Sequence, residues 1–312
     1  MIGYNTSIQI SEFSDRRGKM KRNHITVNFH LTKRCNYKCK YCYAKFKNFS
    51  EMNTIDSQQI VLQIAQVGFS KINFAGGEPF LYKGLGLLLS YAKSLKLTTS
   101  IISNGSKITS EWLDEYGKFV DIIGISCDSA KDSSLIELGR GKKNPTQSVL
   151  KAFELIDTFN ENSHYKIYKK LNSVITSINF RENMSDFVLK TGVQRWKIFQ
   201  MLHIQGENDD CSEKLSITPF EFQSFINRHL HLQNKGVSIV AENNSMMTDS
   251  YLMINPSGRF YQNSFGKYTI SDPIIQVGIH TALNQISFKY QKFLNRGGLY
   301  NTNNKISLKR AI

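Results

Sequence analysis

Three cysteines fall within eight residues in the stretch CNYKCKYC, as Cys35, Cys39 and Cys42. Sulfurs spaced four and three residues apart on one short loop cannot by themselves close a four-ligand zinc site. They can ligate three irons of a cubane and leave the fourth iron open to a substrate or cofactor. Zinc completed by a distant fourth ligand, such as one of the seven histidines, is the alternative that the spacing alone leaves open. Cys127 and Cys211 stand apart and read as buried structural thiols. Five cysteines, three of them crowded, do not make a secreted disulfide framework and point to a reducing compartment.

The loop needs a scaffold, and the flanking sequence supplies one. His24–Leu31 alternates apolar and polar residues as a strand does, and Thr54–Gly68 carries apolar residues at helical spacing. The same alternation recurs. Strands are expected at Lys71–Ala75, Thr98–Ser103, Val120–Ser126, Tyr165–Ile175 and Arg195–Leu202, with helices at Leu85–Leu97, Glu111–Lys118, Pro145–Phe159 and Asn183–Thr191. Six strand–helix units in succession imply a parallel sheet, and curled up they make a partial (βα)6 barrel of the α/β class. Beyond them come a helix at Thr218–His231, a short strand at Val237–Val240 and a hairpin of Ser250–Asn255 with Gly258–Tyr261. A final helix over Ile279–Leu294 precedes a polar tail. The division expected is a flexible basic arm at 1–22, a barrel at 23–215 and a C-terminal extension at 216–312 covering the substrate site.

Polar motifs close three of these strands. Gly76, Gly77, Glu78 and Pro79 follow KINFA, Ser103 and Asn104 lie in ISNGS, and Ser126 lies in ISCDS. Strand ends are where ligands bind in such folds. Paired glycines let backbone approach a ligand, and their carbonyls can accept from an ammonium group. With the CxxxCxxC spacing, and Tyr41 just before the last cysteine, the chain resembles the radical S-adenosylmethionine superfamily. That resemblance implies a [4Fe–4S] cluster whose open iron chelates the amino and carboxylate groups of S-adenosylmethionine, and cleavage of the cofactor to a 5′-deoxyadenosyl radical. It also implies that Tyr41, Gly76, Gly77, Glu78, Ser103, Asn104, Ser126 and Arg140 bind S-adenosylmethionine. The planar fork of Arg140 suits the methionine carboxylate.

The likeness narrows further. VNFHLTKRCNYKCKYCYAKF, KINFAGGEPF, GRGKKN, LNSVIT, RWKIFQML, DSYLMI and FLNRGGLY, in that order from Val27 to about Tyr300, resemble the viperin family. Viperins dehydrate a nucleoside triphosphate to its 3′-deoxy-3′,4′-didehydro analogue, a chain terminator of viral polymerases. The resemblance implies that Asn28, Lys71, Lys170, Arg195 and Lys197 contact the nucleotide and that Tyr251 lies near the ribose as a catalytic donor. The residues themselves agree with an anionic substrate. Arg195 and Lys197 share one face of their strand while Trp196 takes the other, and inward charges are costly unless an anion pairs them.

Charge fits the same class of partner. Lys and Arg number 40 against 25 Asp and Glu, a net charge of +15, and from Arg16 to Lys47 there are eleven basic residues and no acid. No run approaches a membrane span, and Met1–Arg22 lacks the apolar core of a signal peptide, so a cytoplasmic monomer without membrane attachment is expected. The long amphipathic membrane helix of vertebrate viperins is not seen, and their basic segment after the hairpin reads FGKYTISDP here, keeping Lys267 only. The preferred base is thereby left open among CTP, UTP and GTP. The expected partners are the triphosphate and an electron donor such as flavodoxin or ferredoxin, with no stable nucleic acid. The rivals are another radical enzyme, nucleotide-rearranging or peptide-modifying, and a zinc-containing nucleic-acid-binding module. The first usually carries further C-terminal cysteines, where only Cys211 stands here, and the second leaves GGEP unexplained.

Overall fold

Ile25, Val27 and Phe29 point to one face of β1 (Asn23–His30) and are fully buried beneath helices. Thr26, Asn28 and His30 turn to the other face, where a cavity opens. This two-faced strand sets the plan of the molecule: apolar residues outward under a helical layer, polar residues inward. In this computed structural model residues 23–299 are described; the basic arm expected at 1–22 and the tail from residue 300 lie outside the described residues.

Parallel neighbours follow in chain order: β2 (Phe69–Ala75), β3 (Thr98–Ser103), β4 (Ile122–Ser126), β5 (Tyr168–Ile175), β6 (Arg195–Gln200) and β7 (Ser238–Glu242). The connecting helices are α1 (Thr54–Gln66), α2 (Leu85–Ser94), α3 (Ser110–Tyr116), α4 (Asp132–Glu137), α5 (Pro145–Asn162) and α6 (Ser185–Thr191), then α7 (Ser212–Leu215) and α8 (Pro219–His229). Local chemistry fixes several starts. The Asn53 side chain accepts from the Asp56 amide at the head of α1, Pro145 opens α5, and Thr218 with Glu221 forms a full capping box on α8.

After the short α9 (Asn244–Met247) the chain returns to β1. β8 (Leu252–Ile254) pairs with it in parallel, and β9 (Arg259–Gln262) and β10 (Thr269–Pro273) add antiparallel strands. The sheet order is therefore β10-β9-β8-β1-β2-β3-β4-β5-β6-β7. The expected hairpin is present, with Met253 opposite Tyr261, and the expected partial barrel is present with it. The sheet ends at β7 and at β10 without closing, β8 being paired on both sides, so the barrel keeps an open seam beside β7.

One sequence expectation is corrected. The single helix over Ile279–Leu294 is broken into α11 (Ile279–Asn284) and α12 (Tyr290–Asn295), which follow the short α10 (Ile274–Val277). Gln285 leaves the helical path to clasp Asp272, through its Oε1 to the amide at 2.7 Å and its Nε2 to Oδ2 at 2.9 Å, while the Lys289 amide donates to the Asp249 carbonyl. Tertiary bonds replace helical ones there. β10 is a strand that sequence reading did not name, its proline and acid suiting only a sheet edge.

Candidate active site

The cysteine loop leaves β1 and lies directly on the end of β2. The Gly77 amide donates to the Thr32 carbonyl at 2.6 Å and the Glu78 amide to the Arg34 carbonyl at 2.8 Å. A Cβ on Gly77 would stand 2.3 Å from the Arg34 oxygen, and one on Gly76 2.6 Å from the Thr32 oxygen. The paired glycines thus make room for the chain's own cysteine loop as well as for a ligand. From the other side the Lys38 and Lys40 amides donate to the carbonyls of Gly139 and Leu138, and Asn208 Nδ2 donates to the Tyr41 carbonyl. Cys35, Cys39 and Cys42 all line one cavity of about 610 Å³, and the Tyr37 amide points at Cys35 Sγ from 3.4 Å. Burial pushes the Cys39 and Cys42 thiols up, Cys42 to about 12. Cys127 and Cys211 are buried as expected, each donating to backbone carbonyls.

Beside the loop stand the strand-end groups. Tyr41, Gly76, Gly77, Ser103, Asn104, Ser126 and Arg140 line the same cavity. Glu78 does not: it is fully buried, accepting from Ser103 Oγ at 2.8 Å and the Asn104 and Phe80 amides at 2.8 and 3.2 Å. Its side chain fastens the end of β2 to the end of β3. Arg140 Nε donates to Tyr41 Oη at 2.9 Å and pairs with Asp128, and Nη1 donates to the Ser126 carbonyl at 3.3 Å. Tyr41 also donates to Asp128, whose other oxygen accepts from the Val174 amide. Burial and then the facing Asp128 carboxylate act on Arg140 in opposite senses, and its pKa ends well above the ordinary value. Asp128 was missed by sequence reading, being hidden inside ISCDS; only the fold shows it beneath Arg140.

Deeper in the cavity the floor is cationic. Lys71, Lys170 and Lys197 line it from β2, β5 and β6, with Asn28, Asn73 and Asn172 between them. Burial lowers Lys71 to about 7, helped by the nearby Arg195 charge, and lowers Lys197 to about 8 against the pull of Glu242. Arg195 differs from the other four expected nucleotide contacts: it is not among the residues lining the cavity, and its Nη2 donates to the Gly297 carbonyl at 3.0 Å. Trp196 faces outward as expected, fully buried against Phe225 and His229, with Nε1 donating to Ser173 Oγ. Tyr251 lines the cavity at the seam. Lys197 Nζ donates to its Oη at 2.9 Å, and Oη donates to Glu242, which also pairs with Lys197 and Arg296. The Arg296 guanidinium lies 3.5 Å from the centre of the Tyr251 ring. Glu242 and Arg296 were not singled out from sequence, because what joins them is the meeting of β7 with α12.

Comparison with known proteins places this geometry. The Radical SAM superfamily model matches residues 29–188. A protein of Flammeovirga pacifica named S-adenosylmethionine-dependent nucleotide dehydratase is 36% identical, over 88% of this chain and 95% of that protein. The chain is one of the S-adenosylmethionine-dependent nucleotide dehydratases, the viperin family within the radical SAM superfamily. A Lacinutrix mariniflava dehydratase of the same name is 38% identical over 89% of this chain, which spans 59% of that longer protein. A Danio rerio member, named with the suffix RSAD2, is 37% identical over 88% of this chain and 77% of its own length. Among solved structures, native anSMEcpe with bound AdoMet and Kp18Cys peptide superposes at TM-score 0.66 with 15% identity, covering 87% of this chain and 84% of that one. Streptococcus suis SuiB bound to S-adenosylmethionine gives 0.64 at 16%, covering 88% and 68%. Both share the fold.

Radical SAM enzymes use a [4Fe–4S] cluster and S-adenosylmethionine, and the residues present fit both groups. Three soft thiol donors face one cavity, with a backbone amide directed at one of the sulfurs. Within the same cavity Arg140 has its Nε and Nη1 fixed by Asp128, Tyr41 and Ser126, a preset cation for a carboxylate.

Proposed function

We propose that this dehydratase acts on a nucleoside triphosphate, CTP, UTP or GTP, converting it to the 3′-deoxy-3′,4′-didehydro analogue. We propose further that the product, lacking a 3′-hydroxyl, terminates chains made by viral polymerases, so that the enzyme serves defence against phage. One observation carries the substrate class: Lys71, Lys170 and Lys197 converge on the floor of the cavity that the three cysteines line. A triphosphate bears about four negative charges and needs several cations converging on one place.

The residues divide the work along the cavity. Cys35, Cys39 and Cys42 would hold the cluster, and Arg140, Ser126 and the Gly76–Gly77 carbonyls would hold S-adenosylmethionine, the two groups together supplying the radical chemistry when bound. Asp128 and Glu78 act through Arg140 and Asn104 as positioning residues. Lys71, Lys170 and Lys197 fix the phosphates, and Asn28 and Tyr251 border the sugar. Taking hydrogen from C4′ and losing the 3′-hydroxyl as water requires one further electron and one proton. Tyr251 Oη would deliver that proton, the electron coming from the external reductant, and burial keeps the phenol protonated by raising its pKa well above the ordinary value. Lys197 Nζ, already donating to that oxygen, can replace the proton.

The C-terminal third completes the site with Tyr251, Arg296 and Gly297, in line with an extension that covers the substrate. No described helix is long and apolar enough to cross a membrane. We propose a cytoplasmic monomer, held to neither membrane nor nucleic acid and reduced by a flavodoxin or ferredoxin; the five free cysteines fit a reducing compartment. The test is anaerobic: cluster-loaded protein, S-adenosylmethionine and dithionite, with each triphosphate offered separately. Mass spectrometry should find 5′-deoxyadenosine and, with one base, a nucleotide lighter by one water. Deoxyadenosine without a modified nucleotide would sink the substrate assignment.

A further inference from the structure

The cysteine loop sits in a patch of positive charge that the cavity chemistry does not consume. Residues 33–47 carry six Lys and Arg and no acid, and neither do residues 104–110 or 138–151 contain an acid. Packing brings these three segments to one face. Asn36 Nδ2 donates to Ser106 Oγ at 2.8 Å, and the Lys38 amide donates to the Gly139 carbonyl at 3.1 Å. Tyr37 reaches the third segment, its phenol oxygen 3.5 Å from where a Cβ on Gly141 would stand. Lys107 therefore flanks the loop on one side, Lys142 and Lys143 on the other, and all three are exposed. Lys33, Lys38 and Lys40, also exposed, form the inner margin at the cavity mouth. Cys35, the exposed thiol, is at the centre.

Acids near this collar are already committed or peripheral. Glu51 pairs with Arg34, Asp128 with Arg140, and Glu207 accepts from the Lys45 and Phe46 amides. Glu137, at the end of α4, and Glu111, in the first turn of α3, are exposed acids bordering the patch on its two sides. The outer lysines have no place in the cavity lining.

We propose that this collar of Lys107, Lys142 and Lys143 around the inner Lys33, Lys38 and Lys40 is the docking surface for an acidic one-electron carrier protein. The inference rests on the reading of the site as a cluster centre that needs an external reductant. A carrier seated there brings its redox centre against Cys35, the most exposed of the three loop cysteines. Electrons pass singly from carrier to protein and no bond is made or broken. The charges act mainly by steering, so they set the association rate and its sensitivity to salt.

The test compares cluster-loaded wild type with the triple variant Lys107→Glu, Lys142→Glu, Lys143→Glu. Reduced flavodoxin of net negative charge is mixed anaerobically with each, and cluster bleaching gives the second-order rate constant. Oxidised flavodoxin titrated against each, followed by flavin fluorescence, gives the Kd. At low salt the variant should react at least tenfold more slowly and bind at least tenfold more weakly, and the gap should close above about 0.5 M salt, where charges farther apart than a few ångströms are screened. Dithionite should bleach both clusters equally and support equal product formation, which separates failure of docking from failure of the proposed reaction. Equal flavodoxin rates in the two proteins, or no reduction of either, would overturn the proposal. So would a loss confined to binding of a single-stranded oligonucleotide.

Discussion

At the scale of single residues, the lysine floor is poised rather than fully charged. Lys71, held near 7 by burial and by the Arg195 charge, is about half neutral at physiological pH when no anion is present. A triphosphate arriving beside it favours the charged form, so above pH 7 binding must draw a proton from solvent. The sign follows: affinity falls as pH rises above about 7, by at most about tenfold per pH unit for each proton taken up. Calorimetry at pH 8 in two buffers of different ionisation enthalpy should reveal net proton uptake. Lys71→Gln should reduce that uptake and weaken binding more at pH 6.5 than at pH 8.5; unchanged uptake would remove Lys71 from the phosphate site. Tyr251→Phe probes the neighbouring group. Removing only the hydroxyl should leave 5′-deoxyadenosine formation intact and lower the yield of dehydrated nucleotide, and an unchanged yield would retire Tyr251 as donor.

At the scale of elements, the most demanding contact is the seat of the cysteine loop on the end of β2. Both partners are backbone, so neither can yield as a flexible side chain would. Gly77→Ala would place a methyl 2.3 Å from the Arg34 oxygen and 2.8 Å from the Lys33 oxygen. The loop must then lift, and with it the spacing of the three thiols. The expected result is a protein with native far-UV circular dichroism that takes up well under four irons per chain on reconstitution; full iron content would show that the seat is dispensable. Sequence reading found this motif because CxxxCxxC and GGEP are contiguous strings. It found the inward lysines because a period of two assigns them to one face once a strand is recognised. It placed Glu78 among the ligands, whereas its carboxylate serves Ser103 and Asn104, since a motif says nothing about which way a side chain turns. Asp128, Glu242 and Arg296 escaped notice for a related reason. Each owes its role to a partner on another element, 12 residues away for Asp128 and Arg140 but 54 for Glu242 and Arg296. The break between α11 and α12 belongs with them, because the bond from Lys289 to Asp249 is a tertiary fact.

At the scale of the whole molecule, the open seam of the barrel is held by charge. β7 supplies Glu242, β6 supplies Lys197, the approach to β8 supplies Tyr251, and Arg296 comes from the end of α12. Arg195 adds a bond from β6 to the Gly297 carbonyl. A single buried carboxylate, Glu242, therefore serves two cations at the seam, Lys197 and Arg296. Glu242→Gln keeps the shape of the side chain and removes its charge. Breaking one side of a buried pair costs on the order of 3 kcal/mol, so the nucleotide-free variant should melt several degrees below wild type. A triphosphate can stand in for part of the missing charge, which gives the prediction its direction: saturating nucleoside triphosphate should raise the Tm of Glu242→Gln by more than it raises that of wild type. Hydrogen exchange should report the same order, with amides of β7, β8 and α12 loosened in the nucleotide-free variant and protected again on binding. Equal nucleotide-induced shifts in the two proteins would mean that the seam cations and the phosphates do not share a field, and the seam would then be a purely structural closure.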